Sequence, residues 1–217
     1  MKKSPQEYSL HSAFSLIEII MAISLLAIIA ATVVSKQNIP KLQLAVDKIS
    51  LYLNYTRYIA LIDEKFDIED SEWERKRWSL KFQKCTNTND GMYFVVYSDM
   101  SGNTAHYKKE ETLRDPLNQK YLYSNYDCEP SDDESKNILL KKEYGIEKVE
   151  VSCNTTSTIG QVSFSSDGKI YSQLGTDIKE INETCTIKLF DKDDNYKTIA
   201  IEPKTGFVYQ MKEIITL

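Results

Sequence analysis

The sequence predicts an α+β protein in which one long N-terminal helix packs on an antiparallel β-sheet. Three observations predict it. Phe14 to Val34 is an apolar block of 21 residues with a single ionisable side chain, Glu18. A helical 3–4 spacing of apolar residues continues beyond the block to Ile62. From residue 78 onward the chain breaks into short runs rich in β-branched and aromatic side chains, separated by turn residues.

The block at residues 14–34 reads as a transmembrane helix. At 1.5 Å per residue it is about 32 Å long, which matches a hydrocarbon core of roughly 30 Å. The thirteen residues before it carry Lys2, Lys3 and Glu7 and read as a short leader on the cytoplasmic side. Lys36 and Lys41 follow closely, so the positive charges alone do not orient the segment. A carboxylate inside such a block costs roughly 2.5–3.5 kcal/mol at mid-membrane and so calls for a partner.

Residues 35–62 continue as an amphipathic half. Leu42, Val46, Ile49, Leu53 and Ala60 make one stripe, while Leu44, Leu51, Tyr55, Tyr58 and Ile62 lie roughly opposite. Two stripes fit a helix that packs on its own sheet and faces neighbouring helices, and they fit a wholly internal core helix equally well. Pro40 lacks an N–H and is expected to kink the helix. A helix from Phe14 to Ile62 would be about 73 Å long, more than a compact domain needs.

The rest, residues 63–217, reads as one α+β domain. Asp63–Arg77 is a charged connector. Strands are predicted at Trp78–Gln83, Met92–Ser98, Lys148–Cys153, Gln161–Ser165, Lys169–Ser172, Thr184–Phe190, Lys197–Glu202 and Phe207–Met211. Asp167-Gly168 signals a hairpin, and Lys204-Thr205-Gly206 a further turn. Asn103–Leu140 is polar, tyrosine-rich and poorly periodic, a long insertion between strands.

Composition excludes several functions. The chain has 217 residues, a net charge of −5 and only seven glycines, none in a G-x-G pair. This disfavours phosphate-cradling loops. The acidic excess lies beyond the apolar block, and Arg75-Lys76-Arg77 and Lys141-Lys142 are interleaved with Glu, so nucleic-acid binding is disfavoured. His106 sits in a loop-like segment without a nucleophile signature, and the only other histidine, His11, is in the leader. No enzymatic activity is expected.

Cys85, Cys128, Cys153 and Cys185 all follow the apolar block and form no C-x-x-C pair. Two disulfides in an oxidising compartment are expected. The strand contexts of Cys153 and Cys185 favour that pair, and Cys85–Cys128 would tie the insertion to a strand end. The other two pairings stay open. Asp191-Lys-Asp193-Asp-Asn195 with Glu202 matches the offsets of a Ca²⁺ loop, but Tyr196 stands where that loop needs glycine. Glu180-Ile-Asn182-Glu-Thr184 fits an extended glycosylation acceptor, and Asn154-Thr-Thr156 the shorter sequon.

Ala13-Phe14-Ser15-Leu16-Ile17-Glu18 resembles the cleavage and methylation motif of type IV prepilins and of the pseudopilins of type II secretion. The resemblance implies that the leader is cut after Ala13 by a prepilin peptidase and that the new amine of Phe14 is methylated. Glu18, at mature position five, then pairs with a neighbouring subunit's amine during assembly. Most members have Gly where this chain has Ala13. VSFSSDGKIY and TIAIEPKTGFVY look loosely like minor pseudopilins of the H type. Asp115-Pro116-Leu117-Asn118 with Tyr121 resembles part of the Ca²⁺-binding loop of major pseudopilins, which makes Asp115 a second Ca²⁺ candidate beside Asp191 and Asp193.

The resemblance implies a minor pilin-like subunit of a type II secretion pseudopilus. It would be held in the bacterial inner membrane by one pass, with its C-terminal domain in the periplasm. Its partners would be other pilin-like subunits and an inner-membrane assembly platform. A minor subunit of a type IV pilus, or an anchored periplasmic binding protein that never polymerises, are the alternatives.

Overall fold

A computed structural model of the chain describes residues 15–33, 40–86, 91–100, 107–153, 158–174 and 177–212. It divides into two units, 1–39 and 40–217, each described by itself. Among the described residues there are three α-helices and nine strands: α1 (Leu16–Val33), α2 (Lys41–Ile62), β1 (Trp78–Lys84), β2 (Met92–Tyr97), α3 (Leu140–Tyr144), β3 (Lys148–Val151), β4 (Gly160–Phe164), β5 (Ile170–Leu174), β6 (Asp177–Glu180), β7 (Cys185–Phe190), β8 (Tyr196–Ile201) and β9 (Val208–Gln210).

The first unit corrects the predicted span. α1 has 18 residues, about 27 Å of helix, and its first turn carries Glu18. The part free of charge, from Ile19 on, is shorter still. Among the described residues no helix is long and apolar enough to cross a membrane. The transmembrane reading of residues 14–34, and the inner-membrane and periplasmic placement built on it, therefore do not stand.

The second correction concerns the single long helix packed on a sheet. The chain is mixed α and β with mostly antiparallel sheet, and its helical start is two separate helices. Pro40 does not kink a continuous helix. It sits before α2 in an extended conformation (φ −52°, ψ 131°), and its carbonyl accepts from the Leu44 N–H at 3.1 Å. A proline has no N–H to give to a preceding turn and disfavours helical geometry in the residue before it, so a helix starts after it rather than running through. The joining residues 34–39 lie outside the described residues.

In the second unit, two antiparallel sheets share one core. Five strands run in the order β2-β1-β4-β5-β6 and four in the order β3-β7-β8-β9. α2 lies against β1 and β4 of the first and β7, β8 and β9 of the second. Its covered stripe is Leu42, Ala45, Val46, Ile49, Tyr52, Leu53, Thr56 and Ala60. Of the opposite stripe, Leu51, Tyr58 and Ile62 are exposed, while Leu44 and Tyr55 are half-buried. Leu80, Phe82, Phe94, Val96, Val162, Phe164, Ile187, Leu189, Ile199 and Ile201 complete the core with α2.

Turn chemistry fixes the β4–β5 hairpin. Gly168 takes φ +87°, its N–H donates to the Ser165 carbonyl at 3.0 Å, and the Ser165 N–H donates to the Lys169 carbonyl at 3.0 Å. β6 was not among the predicted strands. Asp177–Glu180 pairs with β5 from Tyr171↔Glu180 to Leu174↔Asp177, although two of its four residues are acidic, as an edge strand tolerates. Residues 107–139, which belong to the predicted insertion, contain short 3₁₀ turns at Lys109–Glu111 and Lys136–Ile138 and bury Leu122 and Ile138.

Candidate functional site

The predicted assembly residues lie at the start of α1. Ala13 and Phe14 fall outside the described residues, as does the whole leader. Glu18 is described. Its Oε2 accepts from the Ser15 N–H at 2.8 Å, and its own N–H donates to Ser15 Oγ at 3.3 Å. This is a capping box: two donors that the first helical turn leaves open are satisfied reciprocally. Ser15-x-x-Glu18 is the sequence signal for it. Beyond the cap α1 exposes Leu16, Ile17, Ile19, Ile20, Met21, Ile23, Leu25 and Leu26, each between 48% and 78%.

The disulfides join Cys85 to Cys128 and Cys153 to Cys185, with Cα atoms 5.7 and 5.2 Å apart. The first ties the insertion to the residue after β1. The second links the residue two beyond β3 to the first residue of β7, within one sheet. Asn182 is in the exposed loop between β6 and β7, where its Oδ1 accepts from Lys204 Nζ at 2.9 Å. Asn154 and His106 lie outside the described residues.

The Ca²⁺ candidates have structural partners. Asp115 is fully buried. Its Oδ2 accepts from Tyr52 Oη at 3.0 Å, Ser135 Oγ at 2.5 Å and Asn137 Nδ2 at 2.8 Å, and its Oδ1 from the Leu117 N–H at 2.9 Å. Four donors converge on one carboxylate and clamp the Asp-Pro loop onto α2. Burial, and next the charge of Asp115, push the Tyr52 hydroxyl far above its ordinary value. Asp191 closes the β7–β8 hairpin by accepting from the N–H groups of Asp193 at 2.8 Å and Asn195 at 3.0 Å. The Asn195 side-chain amide, foremost, holds the Asp191 carboxyl below its usual range. Asp193 is exposed. Among the described residues no group of three or more His, Cys, Asp or Glu is placed to hold a metal ion.

A further set of polar side chains went unread in the sequence. On β1, Leu80 and Phe82 face the core, so Ser79, Lys81 and Gln83 lie on the other face of the sheet. Alternation predicts that face to be wet, yet Ser79 and Lys81 are only 1% and 8% exposed. Tyrosines cover it. Gln83 Oε1 accepts from Tyr93 Oη at 2.6 Å and from Tyr107 Oη, and Gln161 Oε1 accepts from Tyr97 Oη at 3.1 Å. The Tyr107 ring lies 4.6 Å from that of Tyr97 and 6.4 Å from that of Tyr126. Lys81 Nζ sits 6.0 Å from the Tyr107 ring centre. Burial pulls the Lys81 amine below its ordinary value, and the charge of Asp99 opposes the shift. The signal present in the sequence was the tyrosine content of the insertion, whose contacts are non-local.

Comparison with protein-family models, with curated proteins and with solved structures finds no match to this chain.

Proposed function

We propose that the chain is a pilin-like structural subunit, cut before Phe14 by a prepilin peptidase and built through α1 into a filament of the type II secretion class. The observation that carries this reading is the uncovered apolar surface of α1, next to Glu18 and in register with the motif at Ala13 and Phe14. Eight large apolar side chains left about half or more exposed on one helix are a surface that association covers. Each contributes about 1–2 kcal/mol when a like helix removes it from water. Glu18 is the one charge on that helix. In the free subunit its carboxylate engages the Ser15 N–H. In the filament it exchanges that donor for the methylated amine of a neighbour's Phe14, a stronger, charge-assisted bond.

The test is the mass of the mature N-terminal peptide, followed by incorporation of Glu18→Ala. A peptide beginning at methylated Phe14 and a variant that folds but stays out of filaments are expected. Retention of Met1, or a mature chain beginning near Thr32, overturns the reading. Normal incorporation of Glu18→Ala overturns the role given to that carboxylate.

A further inference from the structure

The chain holds three Asn-x-Ser/Thr triplets, at Asn54, Asn154 and Asn182. The fold treats the two that are described in opposite ways. Asn54-Tyr55-Thr56 lies within α2. There the Asn54 Nδ2 donates to the Ser50 carbonyl at 2.9 Å, and the fully buried Thr56 hydroxyl donates to the Tyr52 carbonyl at 2.7 Å. An enzyme could reach that triplet only by unwinding a helix that carries much of the core. Asn154 lies outside the described residues, and the residue two before it is Ser152, not an acid.

Asn182-Glu183-Thr184 is different. All three residues are exposed, in the irregular connection between β6 and β7. The connection is pinned at both ends: the Ile181 N–H donates to the Ile170 carbonyl at 3.0 Å, and Cys185 is fully buried in its disulfide. What stands between those anchors packs on nothing that a bulky group would displace. The side chains are also poised. Lys204 Nζ donates to Glu180 Oε1 at 2.8 Å and to Asn182 Oδ1 at 2.9 Å, so one cation gathers the acid and the amide. The Asn182 Nδ2 is left with a single long bond, 3.4 Å to the Glu180 carbonyl. Lys204 is itself 59% exposed, and a surface pair of this kind is worth little, so it yields readily to a cation from a partner. Both disulfides are formed, which suits an oxidising compartment, the setting in which chains receive N-linked glycans.

We infer that Asn182 is the attachment site of an N-linked glycan, taken from a polyprenyl diphosphate carrier, with Glu180 and Thr184 as the residues the transferase reads. In the transfer, Nδ2 bonds to the anomeric carbon of the first sugar. The bond from that carbon to the diphosphate oxygen breaks, the carrier leaves as polyprenyl diphosphate, and one amide proton passes to solvent. Glu180 offers its carboxylate to a cation of the transferase and Thr184 offers its hydroxyl, each two residues from the reacting amide. The site stands independently of the filament reading, since every residue in it belongs to the second unit.

The experiment is mass spectrometry of the full chain, purified from the organism that makes it, reduced and digested with trypsin. The cuts isolate each triplet in its own peptide: residues 49–57, 149–169 and 180–188. A glycan increment on 180–188, with sugar fragment ions and the other two peptides bare, is expected. Asn182→Gln and Thr184→Ala, expressed in the same organism, should each abolish the increment. Glu180→Gln should lower occupancy by at least about tenfold, the factor that one lost charge-assisted hydrogen bond produces. Peptide 180–188 found only at its unmodified mass overturns the site, as does a glycan on 49–57 or 149–169 in its place. An increment that survives Thr184→Ala overturns the N-linked assignment, and full occupancy in Glu180→Gln overturns the role of that carboxylate.

Discussion

Replacing Asp115 with alanine strips the acceptor from four donors at once. Two of them, the hydroxyls of Tyr52 and Ser135, belong to fully buried residues, and the Asn137 amide is half-buried. Leu117 is an exposed residue, so water can take the place of the bond its N–H loses. A buried donor left unsatisfied costs about 1–3 kcal/mol, so the three inner donors sum to about 3–9 kcal/mol. Removing a buried charge returns part of this, because the carboxylate no longer has to be desolvated. A net loss of about 3 kcal/mol results, a large share of the 5–15 kcal/mol typical of a domain. With a urea slope of about 2 kcal/mol per molar, the midpoint should fall by about 1.5 M, read by tryptophan and tyrosine fluorescence. Asp115→Asn keeps the shape and one acceptor oxygen and should lose about half as much. Tyr52→Phe and Asp115→Ala should be strongly non-additive, since both break the same bond. A loss below about 1 kcal/mol for Asp115→Ala would refute the clamp. So would a midpoint of the parent chain that rises with Ca²⁺ and falls with EDTA, because the carboxylate would then be serving a metal.

Four further outcomes are expected. Burial first of all raises the hydroxyl pKa of Tyr52, Tyr93, Tyr97, Tyr107 and Tyr144 above the ordinary value near 10. The folded state then holds protons that the unfolded state releases, so their contribution is intact below pH about 10 and is lost as pH rises through the folded values. Phenolate absorbance against pH should therefore rise together with unfolding, and an early, independent rise would contradict it. Ser15→Ala breaks the same capping box as Glu18→Ala, weakening α1 by about 1 kcal/mol. It leaves the carboxylate, so it should still assemble if Glu18 acts by its charge. Replacing Cys153 and Cys185 by alanine opens a loop whose ends are 32 residues apart, and about 3–4 kcal/mol should be lost in urea unfolding. Gly160→Ala places a Cβ 2.6 Å from Val151 Cβ at a φ of +142° and should lower the thermal midpoint by several degrees.

Strand positions were legible wherever β-branched and aromatic residues cluster, as at Met92–Tyr97 and Cys185–Phe190, because each strand carries its own local pattern. What the strands join was not legible. Nothing between Lys148 and Val151 tells a reader that β3 leaves the first sheet to pair with β7. β6 was missed because Asp177 and Glu180 resemble loop residues, and only its place at the sheet edge makes them acceptable. The helical stripe ran on through Pro40 in the pattern alone, while the backbone chemistry of proline divides it. For the candidate sites, Ser15 and Glu18 were readable as neighbours, and the Asp-Pro dipeptide drew attention to Asp115. Its three side-chain donors come from positions 52, 135 and 137, and Lys81 looked solvent-facing until tyrosines from a distant segment closed over it. Local rules see capping and turns; convergence over such separations they do not see.

The interleaving of the two sheets also constrains how the protein comes into being. β3 emerges from the ribosome after β2 and before β4, both of which belong to the other sheet. Its partner β7 follows only with Cys185–Phe190. At 5–20 residues per second, Val149 and Val151 wait about 2–8 s for the strand that will cover them. During that interval a nascent chain displays an unpaired apolar edge, while the five-stranded sheet can already close around it. A chain cut anywhere before residue 190 would stay in that state. The order of synthesis makes the stretch from Cys185 to Gln210, which supplies β7, β8 and β9, the step that completes the four-stranded sheet.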